Sequence, residues 1–250
     1  MSYFLSQTPL TVGEITTLTG DEARHIILSR RMSIGEIIEI QDTNAKRFNA
    51  EVISMDKRSL SLQALEEIKT PKESKLDITI FQAMIKEQPL DFIIQKTTEL
   101  GVDTLALFNS QNSVDRFKDM DKKIARWQRI GEEAAKQSGR VKPVKIVYLN
   151  NDDELTDMLA NCNNIFLLEP NAKQKLSTWR PGPQVNKVGI LVGPEGGFTE
   201  GEIREFMSAK SGSASGGKTV IPVSMGPRIL RADTAAITSS AIVQSLWGDL

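Results

Sequence analysis

Over residues 1 to about 70, apolar and polar positions alternate in short runs: GEIIEI (35–40), FNAEVIS (48–54) and SLSLQAL (59–65). A period of two over such lengths predicts half-buried strands. Gly35, Asp42-Thr43-Asn44 and Asp56-Lys57 punctuate them as turns. One short helix is predicted over 21–31, with Asp21 near its start. Together these elements predict a small β-barrel. The polar stretch TPKESK (70–75), which contains Pro71, reads as a linker.

From about residue 76 the rhythm becomes strand, helix, strand, helix. LDITIFQAM (76–84), DTLALFN (103–109), VKIVYL (144–149), NIFLLEP (164–170), VGILVG (188–193) and TVIPVSMG (219–226) read as strands. Leu90, Ile93, Ile94 and Leu100 recur at helical spacing over 88–100, and Gly101 is placed to stop that helix. Residues 121–138 predict a basic amphipathic helix ending at Gly139, and 234–247 a last helix. Alternation of this kind predicts an α/β fold, a mostly parallel sheet covered by helices. The expected organisation is a β-rich domain over 1–70, a linker over 71–75 and an α/β domain over 76–250. GSASGG (212–217) reads as a loop without assignable chemistry.

Composition narrows the chemistry. The 250 residues include one cysteine, Cys162, and one histidine, His25. That excludes an intramolecular disulfide, a cysteine-based zinc site and a histidine cluster, so no metal is expected. MSYFLSQTPL has neither the basic nor the apolar region of a signal peptide, and no run approaches the roughly 18 apolar residues of a membrane span. A cytoplasmic setting and no membrane partner are expected. The net charge is −1, yet residues 115–145 hold Arg116, Lys118, Lys122, Lys123, Arg126, Arg129, Lys136, Arg140, Lys142 and Lys145 against five acids. Such a surplus suits a phosphate backbone, and a solvated helix face of mixed charge is the alternative. Lys122, Lys123, Arg126 and Arg140, with Arg24, Arg30 and Arg31 of RHIILSRR, are the candidate RNA contacts.

Three strand ends carry the candidate chemistry: LLEPNA (167–172), VGPEGGFTE (192–200) and SMGPRILRADTA (224–235). In open α/β sheets, ligands bind beyond the carboxyl ends of strands. Gly193, Gly196 and Gly197 permit close backbone approach or positive φ. Thr199 with Glu202 three residues later is a capping box that starts a helix. The turn is neither a G-x-G-x-x-G dinucleotide fingerprint nor a P-loop. Glu195 would repel phosphate, so the turn suits a neutral or cationic ligand, or is an ordinary strand-to-helix connection.

GPEGGFTEGEI followed about 30 residues later by MGPRILRADTA closely resembles the RsmE family of 16S rRNA uridine-N3 methyltransferases, within the SPOUT superfamily. KTTELGV (96–102) and EEAAKQSGR (132–140) are similar to further segments of that family, so the resemblance covers essentially the whole chain. It implies a deep trefoil knot in the C-terminal domain with helices on both sheet faces. It also implies a PUA-like N-terminal RNA-binding domain, and a homodimer with the C-terminal helix at its interface. The implied methyl donor is S-adenosyl-L-methionine, held by Leu168, Glu169, Gly193, Pro194, Glu195, Gly196, Gly197, Met225, Gly226, Leu230, Thr234 and Ala235. The implied substrate is a uridine of 16S rRNA in the small ribosomal subunit, conventionally numbered 1498. Two departures stand out. Ser110-Gln111-Asn112-Ser113 replaces the family's frequent Thr-Glu-Arg-Ser, and Arg231-Ala232-Asp233-Thr234-Ala235 replaces its common Arg-Thr-Glu-Thr-Ala.

Methylation at N3 of uracil spreads negative charge over N3, O2 and O4. A fixed guanidinium would stabilise that charge as it develops. Arg231 is the first candidate for this catalytic role and Arg228 the second, with phosphate anchoring or pairing to Asp233 or Glu195 as the alternative. Carbon-5 chemistry would need a cysteine nucleophile, and Cys162 lies away from the three loops. Trp127, in the basic helix, reads as a core residue at its spacing, with stacking on a base as the alternative. Methylation of another RNA position, such as a tRNA ribose 2′-OH, and a non-catalytic RNA-binding role in ribosome assembly are the competing functions.

Overall fold

The computed structural model describes residues 3–30, 32–113, 119–180, 185–208 and 220–250, with the side chains of 21, 25 and 28–30 also outside the described set. The loop expected over 212–217 lies outside the described residues. The chain divides into two compact units, one of residues 1–73 with 135–142, the other of residues 74–134 with 143–250.

The first unit is a five-stranded sheet in the order β1-β3-β4-β5-β2, with β1 (Phe4–Leu5), β2 (Ile15–Thr19), β3 (Ile37–Gln41), β4 (Arg47–Met55) and β5 (Ser59–Ile68). β1 runs parallel to β3, and the other neighbours are antiparallel. Register shifts in β4 at Asn49/Ala50 and Val52/Ser54 bend the strand, as bulges do. Ile38, Ile40, Phe48, Ala50, Val52, Leu60, Leu62 and Ala64 alternate inward, and Ala23 and Ile26 of α1 (Gly20–Arg30) cover them.

Residues 135–142 close this unit. Arg47 is 4% exposed. It donates to the carbonyls of Gly139 at 2.6 Å and Arg140 at 3.1 Å, and lies 4.0 Å from the Tyr3 ring centroid. Tyr3 donates its hydroxyl to Arg140 O at 2.6 Å, and Gln41 donates Nε2 to Val141 O at 2.8 Å. Burial pushes the Tyr3 phenol above its ordinary value despite the opposing Arg47 charge, so it stays a donor. Lys136 pairs with Glu22 at 2.6 Å, and Arg140 with Glu73 at 2.9 Å. Burial pushes the Glu73 carboxyl up, but hydrogen bonds and charge from Arg140, with the N–H groups of Val141 and Lys142, hold it below its ordinary value.

The second unit is a six-stranded, all-parallel sheet in the order β11-β9-β10-β6-β7-β8. Its strands are β6 (Asp77–Ala83), β7 (Thr104–Phe108), β8 (Lys145–Leu149), β9 (Asn164–Leu168), β10 (Lys187–Val192) and β11 (Val220–Val223). β9 lies between its own successors β10 and β11, a crossing of the chain that accords with a knotted topology. The strands are apolar on both faces, which is how parallel strands covered by helices read. One face carries Ile78, Ile80, Leu105, Leu107, Phe166, Val188 and Ile190. Against it pack α2 (Glu87–Glu99), α3 (Met120–Ser138) and α6 (Ala232–Trp247). The other carries Phe81, Ala83, Ala106, Phe108, Ile165, Leu167 and Leu191 under α4 (Asp152–Leu159) and α5 (Glu200–Ser208). Trp127 of α3 is fully buried in the first of these cores.

Candidate functional site

The loops after β9, β10 and β11 surround a cavity of about 490 Å³, within the roughly 300–1,000 Å³ of small-molecule sites. Leu168, Glu169, Gly193, Pro194, Glu195, Gly196, Gly197, Met225, Leu230 and Ala235 line it, together with Arg228 and Arg231. Gly226 and Thr234 of the expected donor set are not in the lining. Gly226 has φ +115° and so turns the third loop, while the Thr234 N–H donates to Asp233 Oδ1 at 2.8 Å. Pro170, Val192, Phe198, Ile229 and Ala232 complete the wall. They carry no polar chemistry to signal a site.

The second loop is held from several sides. Gly197 has φ +71° and donates to Pro194 O at 2.9 Å, closing a turn that an L side chain would strain. The capping box forms: Thr199 N donates to Glu202 Oε2 at 2.8 Å, and Glu202 N to Thr199 Oγ1 at 3.3 Å. The other oxygen of Glu202 accepts the Gln111 N–H at 2.8 Å. Asn112 Nδ2 donates to Gly197 O at 3.0 Å. A Cβ on Gly196 would sit 3.2 Å from the Asn112 Cβ, closer than most such contacts. Asn112 therefore braces the cavity loop.

Gln82, next to last in β6 and beside this loop, is fully buried. Its Nε2 donates to Ala83 O at 2.8 Å and weakly to Gly193 O at 3.4 Å. Its Oε1 has no protein partner among the described residues. The sequence patterns give Gln82 no role, and mark Gln111 only as part of a departure from the family's frequent residues. A lone glutamine at the end of the apolar run DITIFQA was the available signal for Gln82, because a buried amide needs partners.

The arginines at the cavity are open. Arg231 precedes α6 as its N-cap residue. Its side chain is 75% exposed, with Nε 3.6 Å from Asp233 Oδ1. Arg228 is exposed in the same wall. Arg231 also lines a second cavity, of about 620 Å³, with Gln88, Pro89, Asp91, Phe92, Gln95, Ile130 and Asp233.

The expected RNA contacts separate into groups. Lys122 is 85% exposed and 3.5 Å from Asp119, and Arg24 is exposed. Lys123 pairs with Glu87 at 2.7 Å. Arg126 grips both oxygens of Asp91 and also meets Glu87, and the Asp91 bond, its main cause, raises the Arg126 pKa. Arg140 is 8% exposed against Glu73. Four acids outside the segment counted as basic (Glu22, Glu73, Glu87 and Asp91) thus neutralise much of its surplus. Arg31, Arg116, Lys118 and the Arg30 and His25 side chains lie outside the described residues. Cys162 is buried behind β9 and β10. Among the described residues no group of three or more His, Cys, Asp or Glu is placed to hold a metal, and no helix is long and apolar enough to cross a membrane.

Residues 72–244 match the family model of an RNA methyltransferase domain, and residues 18–65 that of an RNA methyltransferase PUA domain. The ribosomal RNA small subunit methyltransferase E of Mesomycoplasma hyopneumoniae (strain 232) is 32% identical over 176 residues, covering 70% of this chain and 72% of that protein. The protein of the same name from Bacillus subtilis (strain 168) is 29% identical over 245 residues, covering 94% and 92%. The crystal structure of a ribosomal RNA small subunit methyltransferase E from Neisseria gonorrhoeae, bound to S-adenosyl methionine, is 30% identical. It superposes over 100% of this chain and 99% of that one with a TM-score of 0.85. With the family model spanning most of the chain and relatives alike in both units, this chain belongs to the ribosomal RNA small subunit methyltransferase E family of RNA methyltransferases.

Proposed function

We propose that the chain methylates N3 of a uridine in 16S rRNA of the small ribosomal subunit, using S-adenosyl-L-methionine, and that it acts as a cytoplasmic homodimer. The observation that carries this reading is the join of a donor-sized cavity to two exposed arginines in a single loop wall, within a chain of this family. When bound, the donor supplies an electrophilic methyl group on a sulfonium.

The chain's own residues fit both ends of that reaction. Leu168, Val192, Leu230 and Ala235 offer an apolar wall for the adenine. Gly196 and Gly197 let the backbone approach closely. Glu169 and Glu195 line the same cavity and supply negative charge for a cation. Arg231, anchored by its backbone at the start of α6, holds a planar donor fork towards the negative charge that develops on a uracil. Arg24 and Lys122 remain the exposed candidates for RNA phosphate, whereas Lys123, Arg126 and Arg140 serve the fold.

Purified protein, labelled donor and small ribosomal subunits lacking the modification test this directly. After nuclease digestion, mass analysis is expected to find one N3-methyluridine per subunit. A methyl group on a ribose 2′-oxygen, on another base, or on no nucleotide would refute the assignment.

A further inference from the structure

Arg231 is shared by two cavities, and the second has a composition of its own. Phe92 of α2 is 47% exposed at its edge, a flat apolar surface on which a base can stack. Gln88 and Gln95, one turn of α2 to either side, present amides that both donate and accept. Two carboxylates line the cavity, and they differ in occupancy. Asp91 is saturated: both its oxygens accept from Arg126, and Oδ1 also accepts Trp127 Nε1 at 3.1 Å. Asp233 accepts only short local bonds at Oδ1, from Thr234 N at 2.8 Å and the Thr234 hydroxyl at 3.4 Å. Arg231 Nε stands 3.6 Å from that same oxygen. Glu169 and Glu195 line the donor cavity instead.

We infer that this second cavity receives the target uracil and that Asp233 accepts its N3 proton. The inference rests on the uridine-N3 reading above and supplies the base which that reading lacks. Arg231 spans the seam between the cavities, so a ring in the second one meets the guanidinium with its oxygens and Asp233 with its N–H. The N3–H proton passes to an Asp233 oxygen. The N3 electron pair forms the new bond to the methyl carbon, and the carbon–sulfur bond of the sulfonium donor breaks, its pair remaining on sulfur as a neutral thioether. Charge is conserved: a cation and an anion become a neutral thioether and a neutral carboxylic acid. The charged groups around Asp233 are Arg231 in its own loop and, across the cavity, Asp91 with the Arg126 bound to it. Asp91 is neutralised by that partner, which leaves Asp233 as the acceptor.

Single-turnover methylation of small subunits is measured against pH for Asp233→Asn and Asp233→Glu. Asparagine keeps the shape and the bond to Thr234, but it should cost about 10²–10⁴-fold at neutral pH, the usual worth of a general base. Its rate should then climb about tenfold per pH unit as solvent takes over proton removal, while the wild-type profile stays flat. Glutamate should retain most of the rate. A second readout needs no donor. Wild-type protein should bind uridine-bearing RNA roughly tenfold tighter than the same RNA carrying N3-methyluridine, since the latter lacks the proton that bonds a carboxylate. Asp233→Leu should erase that preference. An asparagine variant with wild-type rate and pH profile, or a leucine variant that still discriminates, would overturn the inference. A product other than N3-methyluridine would instead overturn the reaction on which it rests.

Discussion

Two glycine–arginine turns in this chain look alike on paper and stand in opposite surroundings. Gly139-Arg140 follows α3 with φ +81° at the glycine, and Gly226-Pro227-Arg228 follows β11 with φ +115°. Around the first, Arg140 and Arg47 are almost fully covered, their donors spent on Glu73 and on the carbonyls of 139 and 140. Around the second, Arg228 and Arg231 stand exposed on a cavity, and Arg231 reaches only a 3.6 Å contact with Asp233. The contrast teaches that a cation's availability, not its place in a basic run, decides whether it serves the fold or a ligand. A guanidinium with its hydrogen bonds filled inside the protein cannot also grip a phosphate or a uracil.

The largest expected effect breaks the exposed side of this contrast. Arg231→Ala should slow single-turnover methylation by about 10²–10³-fold, or about 2.7–4 kcal/mol, the worth of one lost oxyanion-type contact. Donor affinity by calorimetry and the unfolding midpoint should hardly move. A wild-type rate with collapsed donor binding would make Arg231 a donor-holding residue and pass the catalytic role to Arg228.

On the covered side, Arg140→Met should lower the unfolding free energy by about 3 kcal/mol, because removing one partner of a buried pair strands the other. Methyl transfer per folded molecule should be unchanged, and so should the salt slope of RNA binding. A slope lowered by about one would mean that Arg140 reaches phosphate after all. The same pair sets a pH limb. The folded Glu73 carboxyl titrates below its ordinary value. Its stabilisation is therefore present above the unfolded value of about 4.3 and is lost as pH falls through the lower folded value. Urea unfolding of Glu73→Gln across that acid range should show a shallower loss than wild type.

The smallest effects sharpen the contrast within one helix. Lys122 is 85% exposed with only a 3.5 Å contact to exposed Asp119, while Lys123, its neighbour in α3, is paired with Glu87 at 2.7 Å. Lys122→Ala should weaken RNA binding and reduce its salt slope by up to about one. Lys123→Ala should instead cost about 0.2–1 kcal/mol of stability, as an exposed pair does. Equal losses of RNA affinity would show that internal pairing does not withdraw a cation from nucleic acid.

Much of the α/β unit was legible because its signals are local. Strand runs from LDITIF to VGILVG, the stop at Gly101 and the Thr199–Glu202 box each depend on a few adjacent residues, and each appears where its pattern stands. Weak patterns went unread. β2 buries only Leu18, so ITTLT shows no apolar alternation, and β1 is two residues long. The sequence pattern does not predict α4, although Asn151 caps it, accepting Glu154 N at 2.9 Å.

Periodicity and turn chemistry thus determined most elements of the α/β unit, the parallel sheet and the three loops at its carboxyl edge, since backbone preference and one-sided burial act within a few residues. Tertiary structure alone decided that residues 135–142 complete the first unit, that Glu22, Glu73, Glu87 and Asp91 pair with cations of the basic segment, and that Asn112 braces the cavity loop. Each of these joins residues far apart in the chain. A charge or an amide acts through whatever lies within a few ångströms of it, and only folding determines what that is.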